Sequence, residues 1–379
     1  MSTIRYSPFT SIFMNGAAGT IITGAPGSGK TFSVLTFMAN ALIQKQKVFA
    51  LDPKDDLTTL QDYFNWLEVI DINNIQEGAL NPFNVLKEID PMIISSIISI
   101  ICGGFSDAQN NAITPIVSDF VTSYKRGNTD MSMYQIAEYL YGHDNEDLQN
   151  IGSKLMACKE TKYGPLLFSD NVIGFDEWGN EIKAEKYHFT DQSKIISLHG
   201  MNLPKANAKD ITDDQRFNSA IVYIICRMIR ELMMSDRYPT LFVVDEAHIA
   251  FGSQEFANVI NDILVLGRSL NIATLLASQS VKHYPAGMEQ LVATTFTMKS
   301  SASDTRELLK RFANSDGNNR NDIENIVDSV SNFKPGDCFM IDSQNRTGIF
   351  HIVSPLTGMT SNPLKRRHKE EVKEDGIKV

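Results

Sequence analysis

Cysteine is scarce in this chain: its 379 residues contain four, Cys102, Cys158, Cys226 and Cys338, and no two of them form a C-x-x-C pair. That spacing excludes a zinc ribbon and a dithiol redox motif, and it is expected of free thiols in a reducing compartment. Long apolar runs are missing too. The most hydrophobic stretch, "PMIISSIISIICGGF" at 91–105, is too short and too interrupted by serine to cross a bilayer, and reads as a core helix. No N-terminal segment joins a basic start to an apolar centre and a small-residue cleavage site, so a signal peptide is not expected. Positive charge is not in excess: 35 Lys and Arg stand against 45 Asp and Glu, a net charge of −10. This argues against a surface that coats DNA generally, although a basic stripe or pore is compatible with an acidic average. No internal repeat is evident.

Glycine, by contrast, is concentrated where a packed core would not want it. In "TIITGAPGSGKTF", residues 20–32, a short β-branched strand runs into three glycines, a proline and a lysine. An amphipathic pattern, "TFSVLTFMANALIQKQ", follows from Thr31. Gly24, four intervening residues, then Gly29, Lys30 and Thr31 satisfy G-x-x-x-x-G-K-[ST], the loop that cradles phosphates between a strand and a helix. Glycine lets the backbone N–H groups turn inward, and the helix N-terminus adds partial positive charge. The expected binding stretch is Gly24, Ala25, Pro26, Gly27, Ser28, Gly29, Lys30, Thr31 and Phe32, with Lys30 reaching the β/γ-phosphates and Thr31 holding Mg2+.

Strand-like segments alternate with helical ones elsewhere, the pattern of an α/β fold with a mainly parallel central sheet. Strands are expected in "KVFALDPKDDL" ending near Asp52, in "LEVIDI" at 67–72 and in "KIISLHG" at 194–200. Later ones are expected in "TLFVVDEAHIAF", "NIATLLASQS", "ATTFTMKS", "DCFMID" and "GIFHIV". Residues 86–185 are helical in period with no convincing strand and read as a mostly helical inserted subdomain. The core would then comprise residues 1–85 and 186–355, and the mixed-charge tail 356–379 reads as a solvated or disordered end.

"TLFVVDEAH" puts Asp245 and Glu246 at the end of a hydrophobic strand, where the first can hold Mg2+ and the second can polarise the attacking water. "LLASQS" ends a later strand with Gln279, placed to sense a γ-phosphate or orient water.

The series "GAPGSGKT", "ALDPKDDL", "LNPF", "YGPLLFSD", "VVDEAH", "LGRSLNIATLLASQS" and "DTRELLKRF…FKPGDCFMID" resembles the ATPase domains that energise type IV secretion and conjugation. These are the VirB-four, TraC- and TrwK-like proteins of the HerA/FtsK superfamily. The similarity covers roughly residues 5 to 355 and implies a RecA-like P-loop NTPase core that uses ATP and Mg2+. The chain departs from the family's usual residues at Asp55 and Asp56, at His248 and at Ser278, without losing a catalytic group. The family's N-terminal half, which docks on the membrane complex, has no counterpart here, implying either a piece of a longer protein or a minimal version. The resemblance also implies a ring, hexameric as in similar motors, in which a neighbour's arginine completes each site. Arg268, expected in the loop before the strand that ends at Gln279, is the first candidate, with Arg306 and Arg311 as rivals.

The resulting expectation is a cytoplasmic ATPase motor without a membrane span of its own, peripheral at the inner face of the membrane through partners. Those partners are other subunits of the same chain, components of a membrane-bound secretion or conjugation complex, and DNA as a further candidate. The alternatives are a DNA-translocating coupling protein of the same superfamily and a nucleotide-binding scaffold with negligible hydrolysis.

Overall fold

The computed structural model describes residues 19–359 except 129–130, 170–171, 176, 179–180, 184–187, 205–207, 209, 236, 250, 252–253, 314–319 and 343. Most of the tail expected at 356–379 therefore lies outside the described residues. In chain order the elements begin with β1 (Gly19–Thr23), α1 (Lys30–Ile43), β2 (Lys47–Asp52) and β3 (Glu68–Asp71). Helices α2 (Pro82–Val85), α3 (Pro91–Cys102), α4 (Asp107–Lys125), α5 (Met133–Tyr141), α6 (Glu146–Lys159) and α7 (Gly164–Phe168) follow. After them come β4 (Val172–Phe175), β5 (Glu181–Lys183), β6 (Lys194–Ser197), α8 (Asp213–Met234) and β7 (Thr240–Val244). The last group is α9 (Gln254–Leu270), β8 (Ile272–Ser278), β9 (Val292–Thr297), α10 (Ala302–Phe312), α11 (Arg320–Ser331), β10 (Asp337–Asp342) and β11 (Thr347–His351).

Nine strands make one sheet in the order β11-β10-β9-β1-β8-β7-β2-β6-β3. All neighbours from β9 to β3 run parallel, and β10 and β11 add an antiparallel edge beside β9. This is the α/β RecA-like architecture expected from the sequence. Because side chains alternate across a strand, each central strand supplies both faces of a sheet buried on two sides. Ile21, Phe49, Leu51, Phe242 and Val244 enter one core with α3, α8 and α9. Their neighbours Ile22, Val48, Ala50, Leu241 and Val243 enter the other core, against Val34, Leu35 and Met38 of α1. Burying each such side chain is worth about 1.5–3 kcal/mol.

The apolar stretch at 91–105 forms α3, a core helix. Asp90 caps its start by accepting from the Ile93 N–H, and Gly103, at φ 81°, ends it in the left-handed conformation that glycine adopts without a Cβ penalty. Ile93, Ile94, Ile97, Ile98 and Ile101 are buried along it. Among the described residues no helix is long and apolar enough to cross a membrane. All four cysteines are free thiols.

One expectation for residues 86–185 needs correction. Strands β4 and β5 pair antiparallel as a separate two-stranded ribbon, Val172 opposite Lys183 and Phe175 opposite Glu181. The ribbon is short and has an irregular register between Val172 and Gly174. So brief a run carries too little period-2 alternation to be told from loop.

Candidate nucleotide site

Parallel strands deliver their C-terminal ends to one edge of the sheet, the edge where open α/β folds gather ligand-binding groups. Along it stand, in spatial order, the loop after β1, the end of β8 with Gln279, the end of β7 with Asp245 and Glu246, and the end of β2 with Asp52 and Lys54. Residues far apart in sequence thus become neighbours through strand order alone.

The loop after β1 is anchored on both flanks. The Ala25 N–H donates to the Lys299 carbonyl (2.8 Å), and the Gly336 N–H donates to the Ser28 carbonyl (3.3 Å). Gly29 has φ 98°, and a Cβ there would lie 2.9 Å from the Gly336 nitrogen, so both backbone conformation and close approach demand glycine. A Cβ on Gly24 would meet Ser28 Oγ at 2.7 Å and Met298 Cβ at 2.9 Å. Pro26 and Gly27 form the exposed crown of the loop. Lys30 opens α1 and Thr31 follows in its first turn. Phe32 is half-buried and packs against the core beneath α1, so its contribution to the loop is its backbone at the helix N-terminus.

The Lys30 ammonium donates to the Gly24 carbonyl (2.6 Å) and the Ala25 carbonyl (3.3 Å). Burial lowers its pKa, against the opposing pull of Glu246 and Asp245. Ser28 Oγ, inside the loop, is buried without a hydrogen-bond partner. A buried hydroxyl and a lysine gathered under a glycine loop fit a polyphosphate.

Asp245 is 3% exposed, and burial, reinforced by the nearby Asp52 and Glu246, pushes its carboxyl up to about 7. Among the described residues no three His, Cys, Asp or Glu side chains converge to hold a metal by themselves. Thr31 and Asp245 with a phosphate chain make the sparse oxygen set that suits Mg2+, which is usually held by few protein ligands plus substrate phosphates. The residues present therefore fit a nucleotide with its cation.

Glu246 sits in a turn at φ 62°, a left-handed conformation that is strained for a residue with a side chain and that concentrates at functional sites. Gln279 Nε2 donates to Glu246 Oε1 (3.2 Å), and Lys54 Nζ forms an ion pair with the same oxygen. His248 Nδ1 lies 3.3 Å from Glu246 Oε2, an ion-pair distance without the alignment of a hydrogen bond, since both atoms otherwise lack a partner. Burial opposes charge on Glu246, but His248, Lys54 and Gln279 outweigh it and hold the carboxyl far below the usual range.

Sequence reasoning brought Lys30, Thr31, Asp245, Glu246 and Gln279 to this edge. It missed the roles open to Lys54 and Asp52, whose "ALDPKDDL" was read only as a strand end and as part of a resemblance. The available signal was a charged cluster directly after a buried strand.

Arg268 is not in a loop. It is an exposed residue in the last turn of α9. That turn leads into the start of β8, whereas the phosphate loop follows the end of β1, which runs parallel to β8. Within one chain Arg268 therefore belongs to the opposite edge of the sheet. Arg311 is fully engaged: its guanidinium donates to the carbonyls of Val281 (3.0 Å), Tyr284 (3.0 Å) and Pro285 (2.7 Å) and pairs with Glu289. Arg306 makes a two-pronged surface pair with Glu324, at 3.2 and 2.7 Å.

Residues 14–358 match the family described as AAA-like domain. The chain is 22% identical over 292 residues to YddE of Bacillus subtilis (strain 168), itself described as uncharacterized, a match covering 69% of this chain and 33% of that protein. It thus spans about a third of the length of the curated relative it matches. Its fold is similar to VirB4 of Thermoanaerobacter pseudethanolicus, with a TM-score of 0.69 and 16% identity over 92% of this chain and 93% of that one. It is also similar to the bacterial conjugative coupling protein TrwBdeltaN70, with a TM-score of 0.56 and 12% identity over 94% and 95% of the two chains. A further structure, TrwB with the non-hydrolysable GTP analogue GDPNP, matches at a TM-score of 0.55 with 13% identity over 91% and 88%.

Proposed function

The chain belongs to the AAA-like domain family, and on that premise we propose that it is an ATP-hydrolysing motor of a conjugative or type IV secretion apparatus. The observation that carries the hydrolytic reading is the convergence of Lys30, Asp245, Glu246 and Gln279 at the ends of strands that are neighbours in the sheet. The secretion reading is supported by the motif series of the sequence and by the VirB4-like fold over 93% of that chain.

In this reading the loop from Gly24 to Thr31 binds the phosphates through inward N–H groups and the Lys30 ammonium. Thr31 and Asp245 would hold Mg2+, which when bound would supply charge neutralisation to the phosphate chain. Glu246 orients the attacking water and accepts its proton. Gln279 stands beside Glu246 and reports the state of the γ-phosphate to β8. An arginine from the next subunit in a ring, Arg268 in the first instance, supplies charge as the transition state forms. The protein acts at the cytoplasmic face of the membrane, docked on the partners that span it.

A coupling protein that threads DNA is the second reading, favoured by the TrwB-like fold. ATPase rates of the full chain measured over a range of salt, with and without single- and double-stranded DNA, separate the two. Strong stimulation that disappears as salt rises supports the DNA pump. A DNA-independent rate supports the assembly motor, and no hydrolysis in any condition overturns both.

A further inference from the structure

Three carboxylates crowd the same stretch of sheet edge. Asp52 is fully buried, while Asp245 and Glu246 are nearly so. Two lysines face them, and they are used differently. Lys30 is turned onto the carbonyls of Gly24 and Ala25, whereas Lys54 reaches Glu246 directly.

The placement of Lys54 is built into the backbone. Asp52 ends β2, and its carboxylate gathers the turn that follows. Oδ1 accepts from the N–H groups of Lys54 (3.2 Å) and Asp56 (3.3 Å), and Oδ2 accepts from that of Leu57 (2.6 Å). Asp55, between them, adopts φ 64°. A buried carboxylate that collects three backbone donors makes a stiff turn, and this one aims Lys54 across to the neighbouring strand β7. Glu246 is presented by a second left-handed turn. Two strained turns on adjacent strands thus bring one ammonium and one carboxylate together.

We propose that Lys54 is a positioning residue for Glu246: its ammonium meets Gln279 Nε2 on Oε1, and together they fix the carboxylate's orientation, with Oε2 turned toward His248. The inference rests on the reading of Glu246 as the water-orienting group. A carboxylate with 5% side-chain exposure beside two other acids holds one orientation only when a fixed partner pairs with its oxygen. Lys54 is that partner, reaching it from a half-exposed side chain on the sheet edge. Its role is carried through Glu246, so it should alter turnover and leave nucleotide affinity alone.

The test uses the full chain with Lys54→Met, Lys54→Arg, Glu246→Gln and the double variant Lys54→Met/Glu246→Gln. Turnover, the dissociation constant of a fluorescent ATP analogue and thermal midpoint are measured for each. Lys54→Met should lower kcat at least 10-fold with the dissociation constant unchanged within about 2-fold. Lys54→Arg should restore most of the loss, because it keeps the charge. Independently of hydrolysis, Lys54→Met should lower the midpoint of the parent chain but not of Glu246→Gln, where no charge remains to be countered. An unchanged kcat in Lys54→Met overturns the proposal, as does a loss of affinity that accounts for the fall in rate, or a failure of arginine to restore turnover. If Glu246→Gln itself hydrolyses at the parent rate, the water-orienting reading of Glu246 fails. The midpoint cycle still shows in that case whether the ion pair exists.

Discussion

The amide nitrogen of Gln279 lies 3.2 Å from Glu246 Oε1, so the residue just past the end of β8 donates to the carboxylate just past the end of β7, its neighbour in the sheet. Thirty-three positions separate the two in sequence. Under the proposed roles, this contact would link γ-phosphate sensing by Gln279 to water orientation by Glu246, so displacement of one side chain would be felt by the other.

Lys30→Ala should abolish hydrolysis and weaken ATP binding strongly, since it removes the ammonium seated on the Gly24 and Ala25 carbonyls of the glycine loop. Titration with a fluorescent ATP analogue and a phosphate-release assay would check both. Full turnover with Lys30 removed would detach the loop from the chemistry.

Asp245 carries a stability cost that depends on pH. Its carboxyl is raised to about 7 in the folded chain, first by burial and then by Asp52 and Glu246, while an unfolded aspartate titrates near about 3.9. Between those values the folded chain retains a proton that the unfolded chain has released. Stability therefore falls as pH rises through that window, and the cost is complete above about pH 7. Asp245→Asn removes the cost along with the Mg2+ ligand. Without nucleotide and with a chelator present, its thermal midpoint should exceed that of the parent by a few degrees at about pH 8, and the gain should vanish near about pH 4. A gain of equal size at both pH values would show that the buried charge is not its source.

The three arginines should separate by readout. Arg311→Ala should lower the thermal midpoint, because three carbonyls and Glu289 lose their donor. Arg268→Ala should leave the midpoint and nucleotide affinity nearly intact, as an exposed residue, while hydrolysis by assembled rings falls by about 10³-fold. Mixing Arg268→Ala with Lys30→Ala subunits should then recover part of the activity, since each supplies the half-site that the other lacks. Mixed rings without recovery would move the assignment to Arg306.

The legible parts of this protein were those governed by local rules. The phosphate loop could be read from Gly24, Gly29, Lys30 and Thr31 because a tight strand-to-helix turn admits few residue types. The central strands could be read because burial on both faces leaves continuous apolar runs such as "TLFVV" and "IATLLA". The β4–β5 ribbon was not legible, being too short to show a period. The meeting of Lys54 with Glu246 was invisible for another reason: it depends on β2 lying beside β7, and strand order is not written in any local pattern. Arg268 shows the converse limit. Its distance in sequence from Gln279 suggested a loop, but α9 continues two residues past it, and a helix that returns to start a parallel strand must end at the opposite edge.

The central claim is that Glu246 activates water for hydrolysis at a site otherwise complete for nucleotide binding. The most direct measurement is retention and turnover of radiolabelled ATP by Glu246→Gln beside the parent chain under identical conditions. The account predicts that the variant binds ATP as tightly as the parent and keeps it unhydrolysed, with turnover reduced by about 10²-fold or more. Release of labelled phosphate by Glu246→Gln at the parent rate would contradict it.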